Sequence, residues 1–280
     1  MGEVLNGASR IYSKLISLFT KLVLLSVMII VCIGCCSKKQ TNYSVNNLAK
    51  YLQNISSDIP INSINFVYMA SYMKFSPITE CDHEECKLED IKLNLAAASG
   101  YIVKKDTVNK ELYIVTAAHW CVDPDYPDDY NIILGVTPPE QPEILYNAYF
   151  LGENYNFDII AYDELSDICI GKIKSEEAYR AENIEIAKDY PKIGEKVYSQ
   201  SAPLGIYDKK TRYIFDGRFA GCNDQYCEFT LSATYGSSGS AIINESGEIV
   251  SLISASVIDF PFIAVGPKLE EINYFLKKYL

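Results

Sequence analysis

The chain of 280 residues is poor in several residue types, and each shortage argues against a class of protein. It has 25 lysines and arginines against 36 aspartates and glutamates, so the formal net charge is −11. This balance argues against a nucleic acid partner, whose phosphates require a basic surface. With 15 glycines and 11 prolines, the chain has too few of these residues for a fibrous or low-complexity protein. Apolar residues make up 49%, which excludes wholesale disorder, and the length allows one large or two small domains.

Only one long apolar run occurs, at Leu22–Ile33, with three basic residues before it and Gly34-Cys35 after it. A basic region followed by such a run predicts a secretory signal. The Gly34-Cys35 pair resembles the lipobox of bacterial lipoproteins, in which the cysteine becomes lipidated. If the segment is not cleaved from the chain, its residues Leu15–Cys36 are numerous enough to span a bilayer as a helix. We therefore predict that residues 1–36 form a signal, lipoprotein or membrane-anchor segment and that the protein is extracytoplasmic and anchored to a membrane through its N-terminus.

Residues 37–58 form a polar stretch, which predicts a tether with a short helix near 47–55. Beyond it, short runs rich in Ile, Val, Tyr and Phe alternate with turn residues. The predicted strands are Ile64–Met69, Ser99–Val103, Leu112–Thr116, Ile132–Gly135, Ile159–Tyr162, Ile168–Ile173, Lys196–Gln200, Tyr213–Phe215, Phe229–Ser232, Ser240–Ile243, Ile249–Ile253 and Phe262–Val265. About a dozen short strands indicate an all-β fold. The spacing of apolar residues after Pro267 predicts a helix over 267–280.

Histidine is scarce, which narrows the search for a catalytic base to two residues. A serine hydroxyl needs an adjacent base near neutral pKa, and histidine is the side chain that supplies one unperturbed. His83 lies in a charged stretch that indicates an exposed loop, whereas His119 ends the β-rich run Ile114–His119. His119 is therefore the predicted base.

An acid and a nucleophile follow His119 in the chain. The acid must orient the histidine, and Asp167 is preferred because an apolar strand starts directly after it. Asp163 is the rival, and Asp158 is less favoured. Ser238 lies in the turn Gly236–Ser240, where the glycines allow the N–H groups of Gly236 and Ser238 to point at one spot as an oxyanion hole.

These three motifs, in the order His, Asp, Ser, resemble those of the trypsin-like (chymotrypsin-fold) serine peptidases. Three further segments resemble the bacterial branch of that family, namely Ser99–Val103, Gly194–Gly205 and Gly247–Ser251. The resemblance covers about 59–280 and implies two antiparallel six-stranded β-barrels with a cleft between them and a C-terminal helix. It places the first barrel at about 59–180, the second at about 190–266 and the helix at 267–280. It implies a serine endopeptidase that acts on proteins or peptides and needs neither a cofactor nor a metal.

The same resemblance suggests where the substrate pocket lies. In the family the position six residues before the nucleophile forms the floor of the primary pocket, which here is Ser232. Because this residue is not acidic, a strict preference for Arg or Lys is disfavoured. The strand Leu252–Ser254 is expected to form the pocket wall, and the small residues Ser254, Ala255 and Ser256 suggest an open pocket. The glutamyl type of the bacterial branch uses a pocket histidine, and the chain has no third histidine.

Six cysteines lie outside the N-terminal segment, and in an exported protein an even number favours disulfides. Cys81 with Cys86 and Cys222 with Cys227 each enclose four residues, which predicts two short clips. Zinc bound by Cys81, His83 and Cys86 is the rival interpretation of the first pair. Cys121 and Cys169 each follow a predicted catalytic residue by two positions, so they lie on neighbouring strands and either pair or remain buried thiols.

Two hypotheses of different classes therefore follow from the sequence. The favoured one is a membrane-anchored extracytoplasmic serine endopeptidase. The alternative is a non-catalytic binding or scaffold protein on the same fold.

Overall fold

The fold is described from a computed structural model of the chain, which covers residues 61, 63–75, 91–122, 143–208, 210–211, 213–257 and 260–280. All of these belong to one compact unit, Asp58–Leu280. The predicted anchor segment with Cys35, the tether, the strand at Ile132–Gly135 and the pair Cys81 and Cys86 lie outside the described residues.

Seven antiparallel strands form the first sheet. They are β1 (Phe66–Phe75), β2 (Ile91–Asp106), β3 (Glu111–Thr116), β4 (Glu143–Phe150), β5 (Glu153–Asn156), β6 (Asp158–Asp163) and β7 (Ile168–Lys174). Their order in the sheet is β5-β4-β1-β2-β3-β7-β6. The two edge strands, β5 and β6, are consecutive halves of one extended segment that is interrupted only at Phe157. The sheet therefore curls until its two edges meet in that segment.

Seven antiparallel strands also form the second sheet. They are β8 (Lys196–Ser201), β9 (Tyr213–Cys222), β10 (Cys227–Phe229), β11 (Ala241–Asn244), β12 (Ile249–Leu252), β13 (Ala255–Val257) and β14 (Phe260–Gly266), in the order β12-β11-β8-β9-β10-β14-β13. The edges are again consecutive, because β12 and β13 are separated only by Ile253 and Ser254. Both sheets thus curl in the same way, and the predicted all-β fold with two barrels is confirmed.

The helical elements are few and short among the described residues. They are the α-helices α1 (Ala118–Cys121) and α2 (Leu269–Tyr279) and the 3-10 helices Ser63–Asn65, Glu176–Arg180 and Pro203–Gly205. The predicted C-terminal helix is present and begins at Leu269 because Lys268 is its N-cap. None of these helices is both long and apolar enough to cross a membrane.

The strand count differs from the prediction of six per barrel, and the cause is local. In each barrel one extended segment is interrupted, and the parts before and after the interruption pair with different strands. These parts are β5 and β6 in the first barrel and β12 and β13 in the second, so six strands are counted as seven. At the first break, the N–H of Phe157 still donates to the carbonyl of Tyr146 in β4, at 2.8 Å, whereas the next residue, Asp158, pairs with Lys172 in β7. The predicted strand Phe229–Ser232 was also wrong in extent, since β10 ends at Phe229. Strands β4, β5 and β13 had not been predicted.

Alternating side chains in the strands divide between two cores, as the two-residue period of a strand requires. In β3, Leu112 and Ile114 point into the interior of the first barrel, whereas Tyr113 and Val115 face the junction with the second barrel. The junction core also contains residues of the second barrel, such as Ile243, and the buried face of α2. Both barrels and α2 therefore share one apolar layer, and the candidate site lies where the barrels meet.

Candidate active site

His119 lies on α1, the single helical turn that follows β3. Its neighbour Trp120 is 4% exposed and contacts Tyr146 edge-on and Phe157 in a tilted arrangement, with ring centroids 5.1 and 5.7 Å away. Aromatic contacts of this kind stabilise beyond the area they bury. The buried tryptophan thus anchors the turn, while the side chain of His119 remains about half exposed, at 51%.

Asp167 meets His119 from the turn between β6 and β7. Its carboxylate oxygens lie 3.0 and 2.9 Å from Nδ1 of His119, and Oδ1 also accepts the backbone N–H of His119 at 2.8 Å. A carboxylate only accepts hydrogen bonds, so Nδ1 of the neutral ring carries the proton and Nε2 is left as the acceptor. The backbone of Asp167 is left-handed, with φ of 52°, a conformation that aspartate tolerates better than most residues. This arrangement prepares His119 to accept a proton at Nε2.

The two rival aspartates lie elsewhere. The carboxylate of Asp163 accepts hydrogen bonds from the N–H of Leu165 at 3.1 Å and from the hydroxyl of Ser166 at 2.8 Å. It therefore shapes the turn that carries Asp167. Asp158 begins β6 and pairs with Lys172 in the sheet.

A disulfide joins α1, which carries His119, to β7, which begins directly after Asp167. Cys121 and Cys169, each two positions after His119 or Asp167, are bonded across a 48-residue separation and are buried. The sequence left open whether they pair, and the structure joins them. A second disulfide joins Cys222 to Cys227 across the hairpin of β9 and β10, the pair predicted from spacing.

The turn Tyr235–Gly239, called the nucleophile turn below, carries Ser238. Gly236 and Gly239 have φ of 85° and 81°. A Cβ on Gly236 would lie 2.3 Å from the carbonyl oxygen of Ala202, and one on Gly239 would lie 2.2 Å from Oγ1 of Thr116. Only glycine fits such close approaches. The second contact places the nucleophile turn directly against the end of β3, three residues before His119.

Some backbone N–H groups of this turn donate hydrogen bonds within the fold, and others have no acceptor among the described residues. The N–H groups of Ser237 and Gly239 donate to the carbonyls of Thr234 and Ile253, at 2.9 and 2.7 Å. Those of Gly236 and Ser238 have no acceptor among the described residues, and the partly exposed hydroxyl of Ser238 has no partner among them either. Both N–H groups predicted for the oxyanion hole thus lack an acceptor among the described residues, as does the N–H of Tyr235 at the start of the turn.

The predicted pocket residues lie around β14. The N–H of Ser254 donates to the carbonyl of Val265 at 2.9 Å, and Ser256 pairs with Ala264. Ser232 immediately precedes Ala233, whose N–H donates to the carbonyl of Pro261 at 2.9 Å. Ser254 and Ser256 thus lie directly beside β14, and Ser232 is one residue away from a bond to it.

A cavity of about 440 Å³ has Asp167 and Ser254 among its lining residues. Its lining also includes the hairpin residues Asp224 and Tyr226 and, from α2, Glu271. The hydroxyl oxygen of Ser254 is buried and has no hydrogen-bond partner among the described residues. Ser254 and Asp167 both line this cavity, whereas Ser232 and Ser256 do not.

One residue that the structure places in the site was not predicted to act there. Ser99 was noted only as part of a strand that resembles the family, yet it is fully buried and bonds to the nucleophile turn. The signal in the sequence was a serine within an otherwise small and apolar run, Ala96–Gly100. A buried hydroxyl requires a hydrogen-bond partner, but the sequence could not show which one.

The fold consists of two curled antiparallel sheets. The first carries a histidine–aspartate pair, and a glycine-flanked serine turn of the second packs beside it. These features define the chymotrypsin-like class of fold. Comparison with known families agrees with this class. The family model of the trypsin-like peptidase domain matches residues 98–252, which is more than half of the chain, and the chain belongs to that family. The match contains His119, Asp167 and Ser238 and ends before Ser254. No curated protein matches the chain.

Proposed function

We propose that this protein is a serine endopeptidase in which Ser238, His119 and Asp167 hydrolyse peptide bonds through an acyl-enzyme. Membership of the trypsin-like peptidase family implies a protein or peptide substrate. The observation that carries the finer proposal is the contact of both Asp167 carboxylate oxygens with Nδ1 of His119. That contact fixes the tautomer that a general base requires.

In the proposed first step, Oγ of Ser238 attacks the carbonyl carbon of the scissile bond while Nε2 of His119 takes the hydroxyl proton. The negative charge that develops on the carbonyl oxygen is stabilised by the N–H groups of Gly236 and Ser238. The carbon–nitrogen bond then breaks, and His119 returns the proton to the leaving amine. A water molecule repeats the sequence on the acyl-enzyme and regenerates Ser238.

Labelling with a fluorophosphonate tests this proposal, because the probe reacts with an activated serine. We expect the wild-type chain to be labelled stoichiometrically and Ser238→Ala to be neither labelled nor active. Its melting temperature should be nearly unchanged, since a partly exposed hydroxyl without a partner contributes about 0.5 kcal/mol or less. Ser246→Ala, an exposed serine in the turn after β11, is the control and should label like the wild type. A wild-type chain that resists the probe would support the non-catalytic binding protein instead.

For specificity we propose a primary pocket formed by Ser232, Ser254 and Ser256. The support is the position of Ser254 and Ser256 beside β14, the position of Ser232 next to a residue that bonds to β14, and the absence of charge on these three side chains. We therefore expect no strict preference for Arg or Lys before the cleaved bond. Cleavage of a peptide library confined to basic residues would contradict this assignment.

We also propose that the peptidase domain is held at the outer face of a membrane by the N-terminal segment, with Cys35 as the lipidated residue. The support is the sequence pattern at residues 1–36 and the two disulfides of the described part of the chain, which are typical of an oxidising compartment.

A further inference from the structure

Ser99 belongs to β2 of the first barrel, but most of its hydrogen bonds cross to the second barrel. It is 0% exposed. Its N–H donates to the carbonyl of Ser238 at 2.8 Å, and its hydroxyl donates to the carbonyl of Gly236 at 2.8 Å. The same hydroxyl accepts the N–H of Ala202 at 3.0 Å. Ser99 is therefore bonded at three points to the second barrel.

The remaining polar group of Ser99 is bonded to the first barrel. Its carbonyl accepts the hydroxyl of Thr116 at 2.8 Å, and Thr116 is the last residue of β3, three positions before His119. One residue thus connects the segment that leads to His119 with the turn that carries Ser238.

The bonds of Ser99 complete a pattern along the nucleophile turn. The carbonyl of Tyr235 accepts the N–H of Leu204 at 2.6 Å, and that of Ser237 accepts the N–H of Ser240 at 3.0 Å. With the two bonds from Ser99, all four consecutive carbonyls from Tyr235 to Ser238 are held. Since each peptide unit is planar and trans, a held carbonyl also fixes the direction of the N–H on the opposite side of its unit. The free N–H groups of Gly236 and Ser238 lie within this immobilised stretch.

We infer that Ser99 is a positioning residue of the proposed peptidase, which holds the nucleophile turn in place against the segment that leads to His119 and keeps the oxyanion hole formed before substrate binds. This inference rests on the proposed function. The hydroxyl of Ser99 holds the carbonyl of Gly236, which belongs to the peptide unit that joins the two units carrying the N–H groups of Gly236 and Ser238. Its loss should therefore affect transition-state stabilisation through the position of those two units, whereas the His119–Asp167 contact does not involve it.

Ser99→Ala is the informative variant, because it removes the hydroxyl bridge but keeps the backbone bond from residue 99 to Ser238. We expect kcat to fall about 10- to 100-fold, less than the loss of a complete oxyanion-hole donor, with KM changed by less than about 3-fold. The affinity for a peptide boronate, which mimics the tetrahedral intermediate, should fall in parallel. The pKa that governs kcat/KM should stay at its wild-type value.

Ser175→Ala is the matched control. The hydroxyl of Ser175 is likewise buried in the first barrel and bridges one acceptor and one N–H, donating to the Tyr155 hydroxyl at 3.0 Å and accepting from Glu177 at 3.1 Å. Its partners lie outside the site, so this variant should lose thermal stability while kcat and boronate affinity remain those of the wild type. Ser99→Cys, which fills the same space with a weak donor, takes the place of Ser99→Ala if the latter does not fold.

Equal kcat and boronate affinity in Ser99→Ala and the wild type would overturn the inference, whatever the change in melting temperature. So would a parallel loss of kcat in Ser175→Ala, because it would show a general effect of lost stability. A wild-type chain that neither hydrolyses peptides nor reacts with a fluorophosphonate would overturn the proposed function itself, which is a different outcome.

Discussion

Two aspartates with different partners flank the turn between β6 and β7, and of these two only Asp167, whose backbone is left-handed, hydrogen-bonds His119. We predict that Asp167→Asn lowers kcat about 10⁴-fold, because an amide at this position favours the wrong tautomer of His119. Asp163→Asn keeps one of the two turn-forming acceptors and should lower kcat less than about 10-fold. Steady-state kinetics of both variants with one peptide substrate would measure the difference. The reverse order of effects would transfer the orienting role to Asp163.

Two glycines with left-handed backbones, Gly194 and Gly239, allow the cost of backbone strain to be measured separately from the cost of steric overlap. Gly194 has φ of 89° and open space around a Cβ, whereas a Cβ on Gly239 would overlap Thr116 and the backbone of Ser99 and Ala117. We predict that Gly194→Ala costs about 1 kcal/mol of folding free energy and leaves activity intact. Gly239→Ala should cost about 3 kcal/mol or more and abolish activity, since the nucleophile turn must move away from β3. Denaturant unfolding and peptide hydrolysis would test both, and equal stability of the two variants would argue against the packing described here.

At the scale of elements, a disulfide and a hydrogen bond tie the β3–α1 turn to the start of β7. The Cys121–Cys169 disulfide closes a 48-residue loop, and the His119–Asp167 contact lies two residues away along both segments. Both links hold α1 in position relative to β7, and the orientation of the His119 side chain depends on that position.

We predict that replacing both Cys121 and Cys169 by alanine lowers the free energy of unfolding by up to about 4 kcal/mol, as expected for a loop of this length. The Cys222–Cys227 disulfide closes a loop of only five residues, so the double alanine variant at these positions should lose up to about 2 kcal/mol. Thermal unfolding without reductant would compare them. Equal losses would show that loop closure is not the main source of the stabilisation.

At the scale of the whole molecule, the N-terminal segment and the peptidase domain are proposed to have separate roles, one anchoring and the other catalytic. We predict that the Cys35→Ser variant accumulates as a larger, unprocessed precursor if Cys35 is lipidated, because the modified cysteine would be the new N-terminus. A lipidated wild-type chain should partition into detergent, since its acyl chains bury many methylene groups at about 0.8 kcal/mol each. Intact-mass measurement of the membrane fraction would distinguish lipidation from an uncleaved span, which the substitution would not affect. Wild-type protein in the cytosolic fraction with residues 1–36 still attached would contradict both forms of anchoring.

Much of the site could be predicted because its chemistry is encoded locally. The β-rich run before His119, the strand after Asp167 and the glycines around Ser238 are each visible within a few residues, and their order in the chain indicated a trypsin-like peptidase. The all-β fold was predictable for the same reason, since alternation and turn residues act over two to eight positions. The C-terminal helix followed from its apolar spacing.

Contacts between distant residues were decided only in the tertiary structure. The sequence offered three aspartates for His119 and left Cys121 and Cys169 open, because local pattern does not specify which strands become neighbours. It did not reveal that one broken strand closes each curled sheet, nor that the hydroxyl of Ser99 would meet the carbonyl of Gly236, a residue 137 positions away. A buried polar group must find a hydrogen-bond partner, but only the packing of one barrel against the other determines which group that is.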